Sequence, residues 1–172
     1  MYNSFELIER LKKENYNITV HQHDALFTVQ DSKKLRGNIE GAHSKNLFLK
    51  NKKNKFFLLT CEEADKIDLK RISKSLELGN ISFAREEYLD KYLKIKPGSV
   101  SPFALLNDEG GQVDFYLEQT LYESEFVNFH PLINTSTITI ETKMFIQFMI
   151  ENNKKTHIFS SAEEKILKTY GK

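Results

Sequence analysis

Two β-rich runs, residues 46–50 and 55–61, flank the polar linker 51–54, and runs this close together read as a hairpin. The rest of the chain has to supply more strands and the helices that cover them. Gly110 and Gly111 make a turn into a strand at 113–117, and residues 135–140 alternate Thr and Ile at period two, as a half-buried strand does. Pro97, Gly98 and Pro102 punctuate a loop before the apolar run 103–106, which reads as a further strand. Helical spacing appears elsewhere. Asn3 with Glu6, followed by Phe5, Ile8 and Leu11, predicts a capped amphipathic helix ending near Asn15. Asp68 opens a second helix carrying Leu69, Ile72 and Leu76, with Gly79 as its stop signal. Residues 85–93 and 144–150 read as two more helices, and 153–172 combine the short run THIFS with a lysine-rich helical pattern. No internal repeat or low-complexity linker divides the chain, which gives an α/β (mixed α+β) single domain with its topology left open.

Composition narrows the class. At 172 residues, 40% of them apolar and 28% charged, the chain is long enough to bury a core and too apolar to be disordered. A lone Cys61 inside an apolar run makes no internal disulfide, which fits a reducing compartment and an inert buried thiol better than a nucleophile. The first fourteen residues alternate charged with apolar side chains and lack the continuous apolar stretch of a signal peptide or a membrane span. The expectation is a cytoplasmic protein without a membrane partner. Net charge is only +1, yet Lys50, Lys52, Lys53 and Lys55 cluster, as do Lys66, Lys70, Arg71 and Lys74. Such patches bind phosphate without a basic total, although a solvated hairpin and helix face have the same pattern.

Polar residues at the edges of apolar runs fall into three groups. Gly41 precedes His43, Ser44, Lys45 and Asn46, which stand at the mouth of the strand beginning at Leu47. A lysine ammonium there suits a phosphate oxygen, and an asparagine suits a ribose hydroxyl or a carbonyl; spacing alone is more ordinarily a surface lysine and a turn asparagine. Gly98 to Pro102 form a GxxxP loop, where glycine lets a ligand approach the backbone but also marks common turns. Asn128, Phe129, His130 and Pro131, with Asn134, Ser136 and Thr137, make the third group, and His130 is either a proton-transfer group or a satisfied structural histidine. There is no P-loop, CxxC, HExxH or GxSxG. His21 and His23 share a strand face, but no nearby cysteine completes a zinc set, so no metal and no cofactor are expected.

In this order the three groups resemble the YbaK/ProX family, the bacterial deacylases of mischarged tRNA and the editing insertion of prolyl-tRNA synthetase. Residues 41–49, GAHSKNLFL, are similar to the family's G-(G/A)-H-(T/S)-K-N-L-F-L segment; 96–105, KPGSVSPFAL, to its GxxxP loop; and 127–132, VNFHPL, with Asn134 and Thr137, to its third motif. Ile81-Ser82-Phe83 matches an intervening "LSF" strand, and coverage runs from about Ile18 to Asn152. The wording is most similar to the branch acting on alanyl-tRNA(Pro). Departures are Ser44 and Ser101 where threonine is common, and His23-Asp24-Ala25 in place of His-x-Pro.

The resemblance implies a single domain built on a central, mostly antiparallel, barrel-like mixed sheet flanked by helices. Residues 1–152 would be the editing domain and 153–172 an extension of unknown role. It implies a trans-acting deacylase of mischarged tRNA(Pro), most of all Ala-tRNA(Pro), that works without a protein nucleophile, the terminal ribose hydroxyl or an oriented water assisting attack. In that scheme Lys45 binds the terminal phosphate, Gly98 offers backbone contact to the aminoacyl group or water, and His130 orients the ester. Asn46 supports the ribose, while Ser44, Ser101, Pro102, Phe129, Asn134 and Thr137 line the substrate, and the basic hairpin turn touches the acceptor stem. The partners implied are the tRNA acceptor end and prolyl-tRNA synthetase. Removal of cysteine, serine or threonine instead, or a noncatalytic sensor of charged tRNA, are the alternatives.

Overall fold

The structure, a computed structural model, describes residues 1–25 and 39–171. The first helix, α1 (Ser4–Lys13), carries the capping box its sequence predicts: Asn3 Oδ1 accepts from Glu6 N at 2.9 Å, and a Glu6 carboxylate oxygen accepts from Asn3 N at 2.9 Å. Strand β1 is Ile18–Gln22, and the hairpin is β2 (Ala42–Asn51) and β3 (Phe56–Glu62). Buried Asn51 builds its turn by accepting from Lys53 N and Lys55 N and donating to Leu78 O. Then come helix α2 (Leu69–Ser75), strand β4 (Ile81–Phe83), and the short α3 (Glu86–Tyr88), which widens into a π-turn over Leu89–Leu93. The chain continues with β5 (Val113–Glu118), α4 (Gln119–Glu123), β6 (Phe126–Phe129), β7 (Ser136–Glu141), α5 (Thr142–Glu151), β8 (Thr156–Ser160) and β9 (Lys165–Tyr170).

All nine strands among the described residues join one mixed sheet in the order β1-β7-β6-β2-β3-β5-β8-β9, with β4 on β2. Pairings β2·β6, β3·β5 and β5·β8 are parallel and the other five antiparallel. A strand covered on both sides reads as a continuous apolar run, and β3 (FFLLTCE) shows why. Its Phe56 and Leu58 enter the larger core with Phe103, Phe115, Phe129 and the apolar face of α5, while Phe57, Leu59 and Cys61 enter a smaller core under Ile72 of α2 and Leu76, which caps that helix.

Three expectations fail, each for a local reason. Residues 103–106 are not a strand but part of a 3-10 helix, Pro102–Asn107. Pro102 sits in its first turn, and the Ser101 hydroxyl accepts from Phe103 N at 3.3 Å. The threonines of β7 are not solvent-facing: Thr137 and Thr139 are 6% and 7% exposed, with the Thr139 hydroxyl between His21 of β1 and Asn128 of β6 and the Thr137 hydroxyl against His23 just past β1. The lysine-rich end is a strand, β9, whose lysines line an exposed sheet edge and blunt it against further pairing. No helix among the described residues is long and apolar enough to cross a membrane.

Candidate active site

His43, Ser44, Lys45 and Asn46 lie inside β2 rather than ahead of it, since pairing reaches back to Ser44↔Glu62 on β3 and Ala42↔Val127 on β6. Gly41 makes this entry possible. Its φ is +92°, and a Cβ there would stand 2.7 Å from Phe126 O, so a side chain is excluded on both counts.

Alternation along β2 then divides the motif. In-register partners share a face, which puts Lys45 with Cys61 of β3, and His43 with Asn128 of β6. Asn128 pairs with Thr139, and Thr137 with His21 of β1. One face of five strands therefore gathers His21, His43, Lys45, Cys61, Asn128, Thr137 and Thr139, with His23 and His130 just past the ends of β1 and β6. Ser44 and Asn46 occupy the opposite face. Asn46 there accepts from Thr60 Oγ1 at 2.7 Å and donates to Ser44 Oγ at 3.3 Å, and the Ser44 hydroxyl donates to Asn128 O at 3.0 Å.

Lys45 is half-buried, and its ammonium donates to the backbone carbonyls of Asp65 and, at 3.4 Å, Glu63, in the turn between β3 and α2. This fixes a cation at the margin of the small core. Asn128 ties the first and third motifs together: its Nδ2 donates to Glu40 O and Ala42 O at 2.8 and 3.2 Å, and its Oδ1 accepts from Thr139 Oγ1 at 2.6 Å. Because that hydroxyl proton is spent on Asn128, the 3.0 Å contact from His21 Nε2 to Thr139 Oγ1 has the imidazole as donor.

His130 donates from Nδ1 to Ser136 O at 2.8 Å. A carbonyl only accepts, so the δ nitrogen carries the proton and Nε2 presents a lone pair. Burial lowers its pKa, opposed by the Ser136 bond and the Glu63 carboxylate and reinforced by His23, which keeps the ring neutral at neutral pH. The second motif meets the third where Gly98, at φ +83°, would bring a Cβ within 3.4 Å of Asn134 Nδ2. Ser101 and Pro102 are buried at the start of the 3-10 helix, and the Phe129 ring packs against Phe103 and Phe145 at centroid distances of 5.9 and 4.7 Å.

Cys61 is fully buried, and desolvation pushes its thiol up to about 12, so it holds no thiolate at neutral pH to act as nucleophile. No group of three or more His, Cys, Asp or Glu among the described residues is placed to hold a metal. The residues missed in the sequence are His23, whose Nε2 lies 2.9 Å from Thr137 Oγ1, and the Glu63 and Asp65 carbonyls that hold Lys45. The two-residue spacing of His21 and His23 does signal a shared face, but it points to metal binding and not to an arrangement of protons; backbone acceptors leave no mark in side-chain chemistry.

Comparison with known proteins adds an independent line. The family model described as the aminoacyl-tRNA editing domain matches residues 23–148. The prolyl-tRNA editing protein ProX of Acetoanaerobium sticklandii is 34% identical over 137 residues, covering 78% of this chain and 82% of its own. Prolyl-tRNA synthetase associated domain-containing protein 1 of Bos taurus is 36% identical over 148 residues, covering 83% and 86%. Among solved structures, a protein provisionally assigned as a trans-editing enzyme for prolyl-tRNA synthetase superposes with a TM-score of 0.66 across 91% of this chain and 96% of its own; at 15% identity this likeness concerns the fold.

Proposed function

The chain belongs to the family of aminoacyl-tRNA editing domains, and from that membership we propose that it is a trans-acting hydrolase that deacylates mischarged tRNA(Pro), with Ala-tRNA(Pro) as its principal substrate. The observation that carries the reading is the shared sheet face: a fixed cation, Lys45, and a neutral imidazole, His130, on one surface where the described residues place an inert Cys61 thiol and no activated nucleophile.

Such an enzyme answers a physical need. A synthetase pocket wide enough for proline gains only about 1–3 kcal/mol per methylene against a smaller amino acid, so alanine escapes exclusion and is removed afterwards in a smaller pocket. In this reading Lys45 receives the terminal phosphate of the tRNA, exchanging its two carbonyl partners for a phosphate oxygen. His130 Nε2 accepts a hydrogen bond at the reacting end, from the ribose 2′-hydroxyl, from an attacking water or from the amino acid itself. The Gly98 loop supplies backbone contact, and Asn134 and Thr137 border it. Asn46, turned to the other face and bound to Thr60, supports the ribose by holding β2 in place. Ser44 does the same through Asn128 O, while Ser101, Pro102 and Phe129 set the wall behind the loop. Residues 1–152 carry all the groups given a role in the reaction. The β8–β9 extension completes the sheet, and prolyl-tRNA synthetase is the proposed partner that releases the mischarged product.

The test is deacylation of alanyl-, cysteinyl-, seryl-, threonyl- and prolyl-tRNA(Pro) by the purified chain. Release of alanine faster than the others, with prolyl-tRNA spared, supports the proposal; cysteine as the preferred product moves the chain to a neighbouring specificity. Tight binding of charged tRNA with no ester cleaved sinks the enzyme reading in favour of a sensor.

A further inference from the structure

The lysines of α2 have no part in the scheme above. The helix covers the small core with Ile72; it begins just after the turn whose carbonyls hold Lys45, and soon after its end Leu78 O accepts from Asn51 of the hairpin. It thus spans the sheet from the Lys45 end of β2 to the hairpin turn. Its two flanks differ. Arg71 reaches Glu164, between β8 and β9, whereas Lys70 and Lys74 lie on the flank towards β4 and make no ion pair among the described residues. There α2 and β4 enclose a trench of about 800 Å³, with Leu69, Lys70 and Lys74 on one side and Asn80 and Ile81 on the other.

Strand register traces the floor of this trench. Phe83 pairs with Leu49 and Ile81 with Asn51, so both stand on the face of β2 that carries Lys45. Leu47, Leu69 and Ile81 are half-buried at the margin of the small core, and Phe83, on the edge of β4 that no described strand pairs, is 63% exposed. At about 3.3 Å per residue, the Phe83 ring stands about 13 Å along the face from Lys45. Lys70 and Lys74 are one helical turn apart, with about 5–6 Å between their Cβ atoms. An apolar and aromatic floor walled by cations, at a spacing close to that of successive phosphates, suits a single nucleic-acid strand. Its bases lie on the floor and its backbone follows the wall. Glu77 stands on the rim past the end of α2, beyond both lysines, where it repels a phosphate and leaves Lys70 and Lys74 as the places for one.

We propose that the trench between α2 and β4 holds the unpaired 3′ strand of the tRNA, with Phe83 stacked on a base and Lys70 and Lys74 meeting phosphates upstream of the one at Lys45. This rests on the aminoacyl-tRNA reading above and deepens it, from the terminal nucleotide to those that precede it. Stacking accepts any base, so the trench selects an unpaired strand and not a sequence. An acidic extended peptide would match the wall as well, but nothing in such a peptide answers to the fixed cation at the end of the track.

Binding of uncharged RNA tests it without depending on turnover. An acceptor-stem hairpin with an unpaired 3′ overhang is compared with the same hairpin made blunt, and the wild type is expected to bind the overhang more tightly. Phe83→Ala is expected to weaken binding of the overhang roughly 5- to 100-fold, the range of one base–aromatic stack, and Phe83→Trp to keep it. An abasic site scanned along the overhang is expected to weaken the wild type at one position and to cost nothing further there in Phe83→Ala. Lys70→Gln/Lys74→Gln is expected to flatten the slope of log K against log salt by about 1 to 1.5, at about 0.7 per single-strand phosphate. Arg71→Gln, on the other flank, should leave that slope unchanged. These side chains are exposed, so none of the substitutions touches the core. Equal binding of overhang and blunt RNA, or variants that bind the overhang as the wild type does, overturns the proposal. So does a loss confined to the binding of purified prolyl-tRNA synthetase, which gives the trench to a protein. A wild type that shows the overhang preference and the stack yet hydrolyses no ester defeats the enzyme reading alone.

Discussion

At the scale of single residues, the site is defined by which protons and charges are already committed. Lys45 is fixed by two carbonyls, so its removal deletes a placed cation rather than a flexible one. Lys45→Ala is expected to slow deacylation of alanyl-tRNA(Pro) about 100-fold or more, the usual cost of losing one preorganised electrostatic interaction. Single-turnover kinetics at saturating enzyme separates that loss from weaker tRNA binding. His130 makes a second expectation through its depressed pKa. A base whose folded pKa lies below its unfolded value of 6.5 binds fewer protons folded than unfolded. Its contribution to stability is therefore complete above pH 6.5 and is lost as the pH falls through that value towards the folded one. His157, also lowered by burial, acts in the same direction. Urea titrations at pH 7.5 and 5.5 are expected to show a smaller acid loss in His130→Asn than in wild type; an equal loss assigns the effect elsewhere. Backbone conformation sets a third expectation. Gly41→Ala places a Cβ 2.7 Å from Phe126 O at a φ of +92°, and is expected to cost about 3 kcal/mol or more by chemical denaturation. Gly98→Ala meets only Asn134 Nδ2, at 3.4 Å, and is expected to cost about 1–2 kcal/mol for its left-handed backbone while disturbing the loop proposed to face the substrate.

At the scale of elements, the terminal hairpin separates what was legible in the sequence from what was not. The run THIFS announces β8 by itself, but the following KILKTY carries lysines at helical spacing and becomes β9 only because β8 offers it an edge. Tertiary pairing outweighs local preference at such a position. β8 is no ornament: Ile158 and Phe159 are fully buried on opposite faces, and the buried Glu118 carboxylate accepts from Ser161 N and Oγ and from Thr120. Ile158→Ala is expected to destabilise the protein by about 2–5 kcal/mol, read as a shift in denaturation midpoint at unchanged slope. The capping box of α1, the hairpin, α2 with its Asp68 cap and the strand at 113–118 were all legible because each depends on residues within a few positions of one another. The 3-10 helix at 102–107 was not, since an apolar run of that length suits either state and the Ser101 cap decides it. The site shows the same division. Lys45, Gly98 and His130 stand out only through the resemblance of their three motifs, taken in order, to a known family, whereas the carbonyls of Glu63, Asp65 and Ser136 that hold Lys45 and His130 belong to residues whose side chains say nothing of it.

At the scale of the whole molecule, the problem is how a chain of net charge +1 binds a polyanion. Uniform charge does not attract RNA here, so attraction has to be local and directed. The turn of the β2–β3 hairpin projects the exposed Lys52 and Lys53 at one end of the strand whose other end holds Lys45. Lys50 and Lys55 are partly engaged, Lys50 with Asn54 and over the Tyr88 ring, Lys55 with Asp114 at 3.9 Å. A strand rises about 3.3 Å per residue, so the six or seven positions between Lys45 and the turn span roughly 20 Å. That is the length of several stacked base pairs, enough for the turn to meet the acceptor stem while Lys45 holds the terminal nucleotide. The double variant Lys52→Glu/Lys53→Glu is therefore expected to lower kcat/KM for full-length alanyl-tRNA(Pro) about tenfold, with kcat nearly unchanged. A short aminoacylated fragment carrying only the 3′ terminus should lose almost nothing. The salt dependence discriminates further: each phosphate that is no longer neutralised reduces the slope of log K against log salt by about 0.9 for duplex, so the double variant should flatten it by about 1 to 2. A variant that loses activity equally on the tRNA and the fragment, with the slope unchanged, removes the hairpin turn from the interface and leaves recognition to the site face alone.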